Sequence, residues 1–312
     1  MNSVAISQTY RGEYRPNEPM AKHTSWRAGG TADHYYIPAD IEDCAILLAS
    51  LDKQTPITWV GLGSNMLVRD GGLRGVVIAP LQGMNQIALL DNGQVFTQCG
   101  VTCARLARIC QQNQLAGADF FAGIPGTVGG ALAMNAGAFG SETWTFVNSV
   151  ELFDQQGELV NKQAGDFEIA YRSVQSYQLD KPLWFASANF QFEKEWGKDR
   201  SNIKHLLQKR NQSQPIGLPS CGSVFKNPKN DFAARLIEQS GLKEFCIGDA
   251  CVSAKHANFI INTGQASAND IESLIQHIQQ TVKQDSGIEL QTEVKIIGEL
   301  VSGIESGESD DR

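Results

Sequence analysis

Features that would place a chain in a membrane or outside the cell are missing from this sequence. None of its 312 residues belongs to an apolar run long enough to cross a bilayer. The first 19 residues have neither the basic start nor the apolar core of a secretory signal. The sequence therefore predicts a cytoplasmic protein that does not interact with membranes.

Cysteine and histidine are present but are not grouped. The seven cysteines include no CxxC pair, and their odd number is untypical of a disulfide framework. The five histidines form no HExxH or similar metal-binding pattern. The sequence therefore predicts reduced thiols rather than disulfides, and no metal site.

The chain has no excess of positive charge. Its 26 lysines and arginines are outnumbered by 34 aspartates and glutamates, which gives a formal net charge of -8. A nucleic-acid partner is therefore disfavoured, while the charge still allows a local basic pocket for an anionic small molecule.

Hydrophobic residues make up 42% of the chain, enough for a packed core, and the length allows roughly two domains or three small ones. No obligate protein partner is inferred.

Apolar residues at helical spacing predict several helices with recognisable starts. Asp40 and Thr102 are candidate N-caps, and Ser267 with Asp270 resembles a capping box before a long amphipathic helix. The polar and basic segment from Ser201 to Ser213 is interpreted as a connection. The predicted helices span about residues 41–51, 102–114, 232–239 and 269–284.

The first half of the chain contains a strand, a glycine-rich loop and another strand. The strand Ile57 to Val60 leads into GLGSNMLVRDGG, and GVVIAP (Gly75 to Pro80) is extended again. No obvious helix follows the loop, so the pattern differs from the βαβ dinucleotide fingerprint. Further strands are predicted at residues 150–153, 183–192, 257–262 and 293–297, with a hairpin turn at residues 155–157.

Two glycine-rich segments are candidates for binding phosphate, because a phosphate needs backbone amides at close range and larger side chains obstruct that approach. Taken singly, such glycines more often serve turns or tight packing. Two of them in one half of the chain favour a large dinucleotide instead. The candidate cofactor-binding residues are Gly61, Gly63, Ser64 and Asn65 in the first segment, and Gly123, Gly126, Thr127, Gly129 and Gly130 in the second.

Three polar residues of different kinds are candidates for catalysis. Arg172 lies in EIAYRSV, Ser223 in PSCGSVFKNP and Glu293 in LQTEVKIIG. Each also has an ordinary structural explanation, as a surface cation, a turn residue after glycine and the solvent face of a strand. Their spacing in the sequence does not place them together.

The order of several motifs makes the chain similar to the UDP-N-acetylenolpyruvoylglucosamine reductase family. The resemblance runs from about residue 20 to residue 300, and it is specific because seven segments occur in order. These segments are HTSWRAGG (23–30), GLGSNMLVRDGG (61–72), AGIPGTVGGALAMNAGAFG (122–140), YRSV (171–174), PSCGSVFKNP (219–228), KHANFIIN (255–262) and EVKIIG (293–298).

The resemblance implies an α+β fold with a two-part FAD-binding region of the glycine-loop, non-Rossmann type and a C-terminal α+β substrate domain. The expected boundaries are residues 1–80 and 81–200 for the two FAD-binding parts and 201–303 for the substrate domain. The acidic tail, 304–312, is expected to be disordered. FAD would be bound noncovalently. The short spacing of the motifs is typical of the family's shorter form, which lacks an extra tyrosine-bearing loop.

The resemblance also implies a reaction. NADPH would reduce FAD, and hydride would pass from flavin N5 to the methylene carbon of an enolpyruvyl ether of UDP-N-acetylglucosamine. The product would be UDP-N-acetylmuramate, a peptidoglycan precursor. Arg172 would bind the substrate carboxylate through two hydrogen bonds. Glu293 would assist on the same carboxylate, and it must carry or share a proton because two bare anions repel.

The resemblance assigns the proton donor to Ser223, but the residues alone leave a rival. Cys221 is intrinsically more acidic, and residues two apart in an extended segment point to the same face.

Substrate contacts are expected at Tyr171, Lys226, Asn227, Lys255 and His256, which lie in matched segments. Two other functions stay open at this point: an FAD oxidase of the same broad fold, and a nucleotide-binding module without enzymatic activity.

Overall fold

A computed structural model describes residues 10–177, 184–194 and 202–301. The chain divides into two compact units, each assembled from three separate stretches. The first unit comprises residues up to Arg15, Tyr35–Leu62 and Val76–Gln214. The second comprises Pro16–His34, Gly63–Gly75 and the residues from Pro215 onwards.

Helices and short strands alternate along the described chain. The helices are α1 (Ile41–Ser50), α2 (Cys103–Gln112), α3 (Val128–Ala133), α4 (Asn202–Ser213), α5 (Ala233–Gln239) and α6 (Ala268–Ser286). The strands are β1 (Glu13–Pro19), β2 (Thr31–Ile37), β3 (Ile57–Trp59), β4 (Met66–Val68), β5 (Leu73–Ile78), β6 (Ile87–Leu89), β7 (Gln94–Gln98), β8 (Leu115–Ala116), β9 (Gly137–Ala138), β10 (Ser141–Glu142), β11 (Val147–Phe153), β12 (Leu159–Gln163), β13 (Phe167–Ala170), β14 (Ser173–Ser176), β15 (Trp184–Gln191), β16 (Glu193–Lys194), β17 (Cys246–Ile247), β18 (Ala250–Val252), β19 (Ile260–Asn262) and β20 (Lys295–Ile297).

The first unit contains a five-stranded antiparallel sheet in the order β12-β11-β15-β7-β6. Helix α2 contributes Leu106 and Cys110 to the same hydrophobic cluster as Phe190 of β15. A second cluster joins Leu47 and Leu48 of α1 to Ile78 of β5. Strand β5 belongs to a four-stranded sheet in the order β1-β2-β5-β3, and the boundary between the units cuts β1, β2 and β5.

The second unit contains a three-stranded antiparallel sheet, β17-β18-β19, and the parallel pair β20-β4. Its core includes Ile271, Leu274 and Ile278 of α6 together with Trp26, whose Nε1 donates to the carbonyl of Ile260 over 2.8 Å. The apolar stripe predicted for α6 is therefore core packing.

The predicted helix starts are confirmed. Asp40 accepts a hydrogen bond from the amide of Asp43, and Thr102 accepts one from the amide of Arg105. Ser267 and Asp270 form both bonds of a capping box. Side-chain acceptors of this kind satisfy the unpaired amides of the first helical turn, which is why short local patterns predicted them correctly.

The connection predicted at residues 201–213 is helical in the part that the structure describes. Residues Asn202 to Ser213 form α4, and Ile203 packs against the cluster that contains Leu106 and Cys110. The segment is polar overall, so packing of one side chain was not visible as a periodic apolar face. The predicted tail, residues 304–312, lies outside the described residues. The predicted three-part division stays a prediction, with its boundaries at 80 and 200 both inside the range of the first unit.

The prediction that all cysteines are reduced is wrong for one pair. Cys246 and Cys251 form a disulfide, and the other five cysteines are free and buried. The two residues stand directly opposite each other on the antiparallel strands β17 and β18, with their Cα atoms 4.1 Å apart. This pairing depends on the register of a short hairpin, which a spacing of five residues does not reveal.

Candidate functional site

The first unit contains a cavity of about 110 Å³ next to both glycine-rich segments. This volume is below the roughly 300–1,000 Å³ of drug-sized ligand pockets, so the cavity can enclose only part of a large dinucleotide. It opens between the end of β3 and the start of α3. Its lining includes Trp59, Gly61, Cys99, Thr127, Gly129 and Gly130.

Close packing around this cavity requires glycine at two positions. A Cβ on Gly61 would lie 2.5 Å from Oγ1 of Thr127, and a Cβ on Gly129 would lie 2.8 Å from Cβ of Cys99. Both distances are too short for real side chains. A Cβ on Gly130 would meet only Thr127 Oγ1, at 3.6 Å. Gly130 lines the cavity and leaves its Cβ position open, so a bound group fits against the backbone at this residue.

The amides of the second glycine segment already have partners within the protein. The N–H of Gly126 donates to the carbonyl of Ile124 over 2.9 Å, and that of Gly129 donates to the carbonyl of Cys99 over 2.8 Å. Thr127 caps α3 and accepts from the amide of Gly130 over 3.3 Å. The amides of Gly126, Gly129 and Gly130 thus do not form the cradle of unpaired N–H groups that the sequence predicted. Gly123 lies apart, packed against the ring of Phe139.

The first glycine segment is divided between the units, with Gly61 in the first and Gly63, Ser64 and Asn65 in the second. Gly63 has a φ of +59°, and a Cβ there would lie 2.0 Å from the carbonyl oxygen of His23. Asn65 donates through Nδ2 to the carbonyl of Glu293 over 3.2 Å. Gly63 and Asn65 therefore have structural roles within the second unit.

Two of the three predicted catalytic residues come together in the second unit. The amide of Glu293 donates to the carbonyl of Val224, the residue after Ser223, over 2.8 Å. The amide of Lys226 donates to the carbonyl of Gln291 over 2.9 Å. This backbone pairing brings Ser223 beside Glu293 although 70 residues separate them in the chain. Both side chains are partly exposed.

Cys221 does not share a face with Ser223. Gly222 between them has a φ of +73°, which interrupts the extended backbone assumed from the sequence. The thiol of Cys221 is buried, and it donates to the carbonyls of Gly63 and Met66 over 3.5 and 3.4 Å. Burial raises the pKa of this thiol to about 12. The thiol is therefore both enclosed and a weak acid.

Arg172 lies in the first unit, at the turn of the hairpin formed by β13 and β14. Its backbone has a φ of +55°. Its guanidinium donates to the carbonyls of Asn135 and Gly137 over 3.3 and 3.2 Å and lies 5.0 Å from the centre of the Tyr171 ring. Tyr171 itself is 50% exposed. These contacts fix the plane of the guanidinium.

Asn135 was not predicted as a site residue. Its fully buried side chain donates to the carbonyl of Ala170 over 3.3 Å and accepts from the amide of Trp144 over 3.1 Å. It therefore anchors the hairpin that carries Arg172. One signal was present in the sequence: a single amide within a run of glycine, alanine and other apolar residues needs partners when it is buried.

The predicted substrate-binding residues of the second unit differ in their environments. Lys255 is exposed and Lys226 is partly exposed. Asn227 accepts through Oδ1 from the amide of Ala233 over 3.1 Å, at the start of α5. Burial lowers the pKa of His256, and nearby Lys243 lowers it further. Burial therefore favours the uncharged form of the His256 ring.

Among the described residues, no cluster of three or more metal-binding side chains occurs. No helix in that part of the chain is long and apolar enough to span a membrane.

Comparisons with known proteins identify two matching regions. Residues 32–162 match the family model of an FAD binding domain. Residues 214–297 match the model of the C-terminal domain of UDP-N-acetylenolpyruvoylglucosamine reductase.

Proteins named UDP-N-acetylenolpyruvoylglucosamine reductase are similar to almost the whole chain. The one from Nitrosomonas eutropha is 49% identical, covering 93% of this chain and 90% of the relative. The one from Alkalilimnicola ehrlichii is 50% identical, covering 93% and 97%.

The chain belongs to the UDP-N-acetylenolpyruvoylglucosamine reductase family. A solved structure of this reductase, MurB from Thermus caldophilus, has a TM-score of 0.75 and 26% sequence identity, and it covers 92% of this chain and 98% of its own. The family membership and the FAD binding domain confirm the predicted resemblance and the α+β fold class. They make the chain an FAD-dependent oxidoreductase.

Proposed function

We propose that this reductase converts UDP-N-acetylenolpyruvoylglucosamine to UDP-N-acetylmuramate, with NADPH as electron donor, in the synthesis of peptidoglycan precursors. Membership of the reductase family supports the substrate class. The observation that carries the proposal furthest is the backbone pairing that sets Ser223 beside Glu293. An FAD oxidase would have no use for this pair, and a nucleotide-binding module without activity would have no use for a redox cofactor.

Residues around the small cavity are suited to hold part of a noncovalently bound FAD. Gly130 leaves room there, and Gly61, Thr127 and Gly129 belong to the same lining. When bound, FAD supplies a hydride from N5 to the methylene carbon of the enolpyruvyl group. The remaining steps depend on side chains of this chain.

Arg172 binds the substrate carboxylate in this proposal. Hydride addition to the methylene carbon leaves negative charge on the adjacent carbon, and this charge spreads into the carboxylate. A guanidinium stays charged throughout and binds a carboxylate through two parallel hydrogen bonds. The carbonyls of Asn135 and Gly137 hold its plane, so the cation needs little reorganisation when charge develops.

Ser223 donates its hydroxyl proton to the carbon next to the carboxylate. Serine is a weak acid in water, but a strongly basic enolate at a fixed distance makes the transfer favourable. The enclosed thiol of Cys221 supports this assignment. Glu293 carries a proton and donates it as a hydrogen bond to the carboxylate, because a bare carboxylate would repel the substrate. Lys226 and Lys255 offer positive charge for the diphosphate, whereas burial favours the uncharged form of the His256 ring.

An anaerobic absorbance experiment tests the proposed function. Purified protein loaded with FAD should lose its absorbance of oxidised flavin when NADPH is added. The enolpyruvyl sugar nucleotide should then restore that absorbance without oxygen. Reduced protein that is reoxidised by oxygen but not by the sugar nucleotide would refute the proposed substrate.

Gly130→Val is expected to weaken FAD binding while the fold is retained. A side chain at residue 130 has space within the protein, but it projects where Gly130 lines the cavity. Overpacking of this kind costs about 1–3 kcal/mol, which corresponds to roughly a 5- to 150-fold rise in Kd. Fluorescence titration with FAD measures the affinity, and thermal unfolding followed by circular dichroism measures the fold.

Gly165→Val is the matched control, because a Cβ on Gly165 meets nothing within 4 Å and Gly165 does not line the cavity. It should bind FAD as wild type does. Equal FAD affinity of Gly130→Val and Gly165→Val would remove the cavity from the flavin site.

A further inference from the structure

Both polar atoms of the Asn258 side-chain amide form hydrogen bonds with the backbone of one residue near Ser223. Its Oδ1 accepts from the amide of Phe225 over 2.9 Å, and its Nδ2 donates to the carbonyl of Phe225 over 2.8 Å. Its own carbonyl accepts from the amide of Val224 over 2.9 Å. Asn258 is only 4% exposed. One buried amide thus holds the two residues that follow Ser223.

The same backbone is held from its other side by the segment that carries Glu293. The carbonyl of Val224 accepts from the amide of Glu293 over 2.8 Å, and Phe225 forms a bridge with Thr292. Before Ser223 the backbone turns at Gly222, which has a φ of +73° and a Cβ position open to space. Ser223 is therefore held from both sides, by the contacts of Cys221 before it and by those of Val224 and Phe225 after it.

We infer that Asn258 is a positioning residue for Ser223, and this inference rests on the proposed role of Ser223 as proton donor. Asn258 acts through the backbone of Val224 and Phe225 and does not itself contact the reacting atoms. It keeps the hydroxyl of Ser223 and the segment of Glu293 in a constant geometry. The KHANFIIN segment therefore serves proton transfer in addition to packing.

The two hydrogen bonds to Phe225 require a side chain with one acceptor and one donor, as an amide has. An aspartate in this position would still accept from the amide of Phe225, but it would place an oxygen against the carbonyl of Phe225 where Nδ2 now donates. A buried group that loses its partner is costly, so the backbone would shift to relieve it. A displacement of about 1 Å in a catalytic group can slow a reaction roughly a hundredfold.

Asn262 provides a matched control in the same segment. It is 5% exposed, it accepts from the amides of Gly264 and Ala266, and its Nδ2 donates to the carbonyl of Trp26 over 2.9 Å. Asn262→Asp therefore removes the same kind of bond from the same core. Its side chain makes no hydrogen bond to Ser223 or to the two residues after it.

The test compares both half-reactions of the FAD-loaded, full-length protein by anaerobic stopped-flow absorbance. Asn258→Asp should be reduced by NADPH within about twofold of the wild-type rate, while reoxidation by the enolpyruvyl sugar nucleotide slows about tenfold to a hundredfold. Its solvent deuterium isotope effect on reoxidation should exceed that of wild type, because proton transfer becomes slower. Asn262→Asp should lower the melting temperature to a similar degree and leave both half-reactions unchanged.

A double variant separates positioning from general damage. If Asn258 acts through Ser223, Asn258→Asp should slow reoxidation little further in a Ser223→Ala background, within about threefold. Slowing of reoxidation by Asn258→Asp and Ser223→Ala that multiplies in the double variant would overturn the inference. Equal slowing of both half-reactions by Asn258→Asp would also overturn it, as would equal slowing of reoxidation by Asn262→Asp. If Asn258→Asp does not fold, Asn258→Ser places no oxygen against the carbonyl of Phe225 and should show the same pattern.

The inference and the proposed function fail in different ways. Wild-type protein that the sugar nucleotide cannot reoxidise would overturn both. Wild-type protein that is reoxidised, together with an Asn258→Asp variant that is reoxidised equally fast, would overturn the role of Asn258 alone.

Discussion

Ser223→Ala is expected to retain FAD and to be reduced by NADPH at nearly the wild-type rate, yet to lose most of its reaction with the sugar nucleotide. The first step needs no acid at this position, whereas the second ends in protonation of a carbon. Loss of a positioned general acid costs roughly a hundredfold to ten-thousandfold. Stopped-flow absorbance of the flavin reports both steps in one experiment.

Cys221→Ala is the matched control for the proton donor. The thiol is enclosed between the carbonyls of Gly63 and Met66, and burial raises its pKa to about 12. Its removal should therefore change packing modestly and leave reoxidation close to wild type. Ser223→Cys should restore part of the rate, because a thiol can donate a proton. If Ser223→Ala reoxidises normally while Cys221→Ala stalls as reduced flavin, the thiol is the acid.

Arg172→Lys is expected to lose about a hundredfold to a thousandfold in reoxidation although the positive charge is retained. The guanidinium donates to two carbonyls and presents a planar edge, while an ammonium is a compact charge on a flexible chain. Loss of one oriented donor to a developing anion is typically of this size. Reduction by NADPH should be unaffected. Rates at saturating and limiting sugar nucleotide distinguish loss of binding from loss of turnover.

Arg105→Lys controls for the general effect of this substitution. Arg105 also lies in the first unit, and its Nη1 donates to the carbonyl of Asn85 over 2.7 Å. It should keep wild-type rates in both half-reactions. Wild-type reoxidation by Arg172→Lys would exclude Arg172 from the catalytic site.

Local structure was largely predictable from the sequence. The starts of α1, α2 and α6 follow from single capping residues, and the apolar stripe of α6 follows from its helical spacing. These features depend on residues within one or two turns of each other. The polar helix α4 was expected only as a connection, because its few packing residues make no periodic signal that would give its bounds.

The candidate site was predictable only as a set of residues. The association of Ser223 with Glu293 depends on backbone pairing between segments far apart in the chain, and no local pattern encodes it. The motif order identified these residues through resemblance instead. The different orientations of Cys221 and Ser223 follow from the positive φ of Gly222, and the disulfide follows from the register of one hairpin. Both are conformational facts that residue types alone do not determine.

The left-handed backbone conformation of Arg172 lowers the stability of the turn at the position of the proposed catalytic cation. A residue with a side chain in the left-handed region costs roughly 1–2 kcal/mol relative to the right-handed one, and glycine avoids most of that cost. Glycine would therefore fit the backbone of this turn better, but it has no guanidinium. If Arg172 binds the substrate carboxylate as proposed, choosing the most favourable residue for each backbone angle would stabilise the turn and remove the proposed cation.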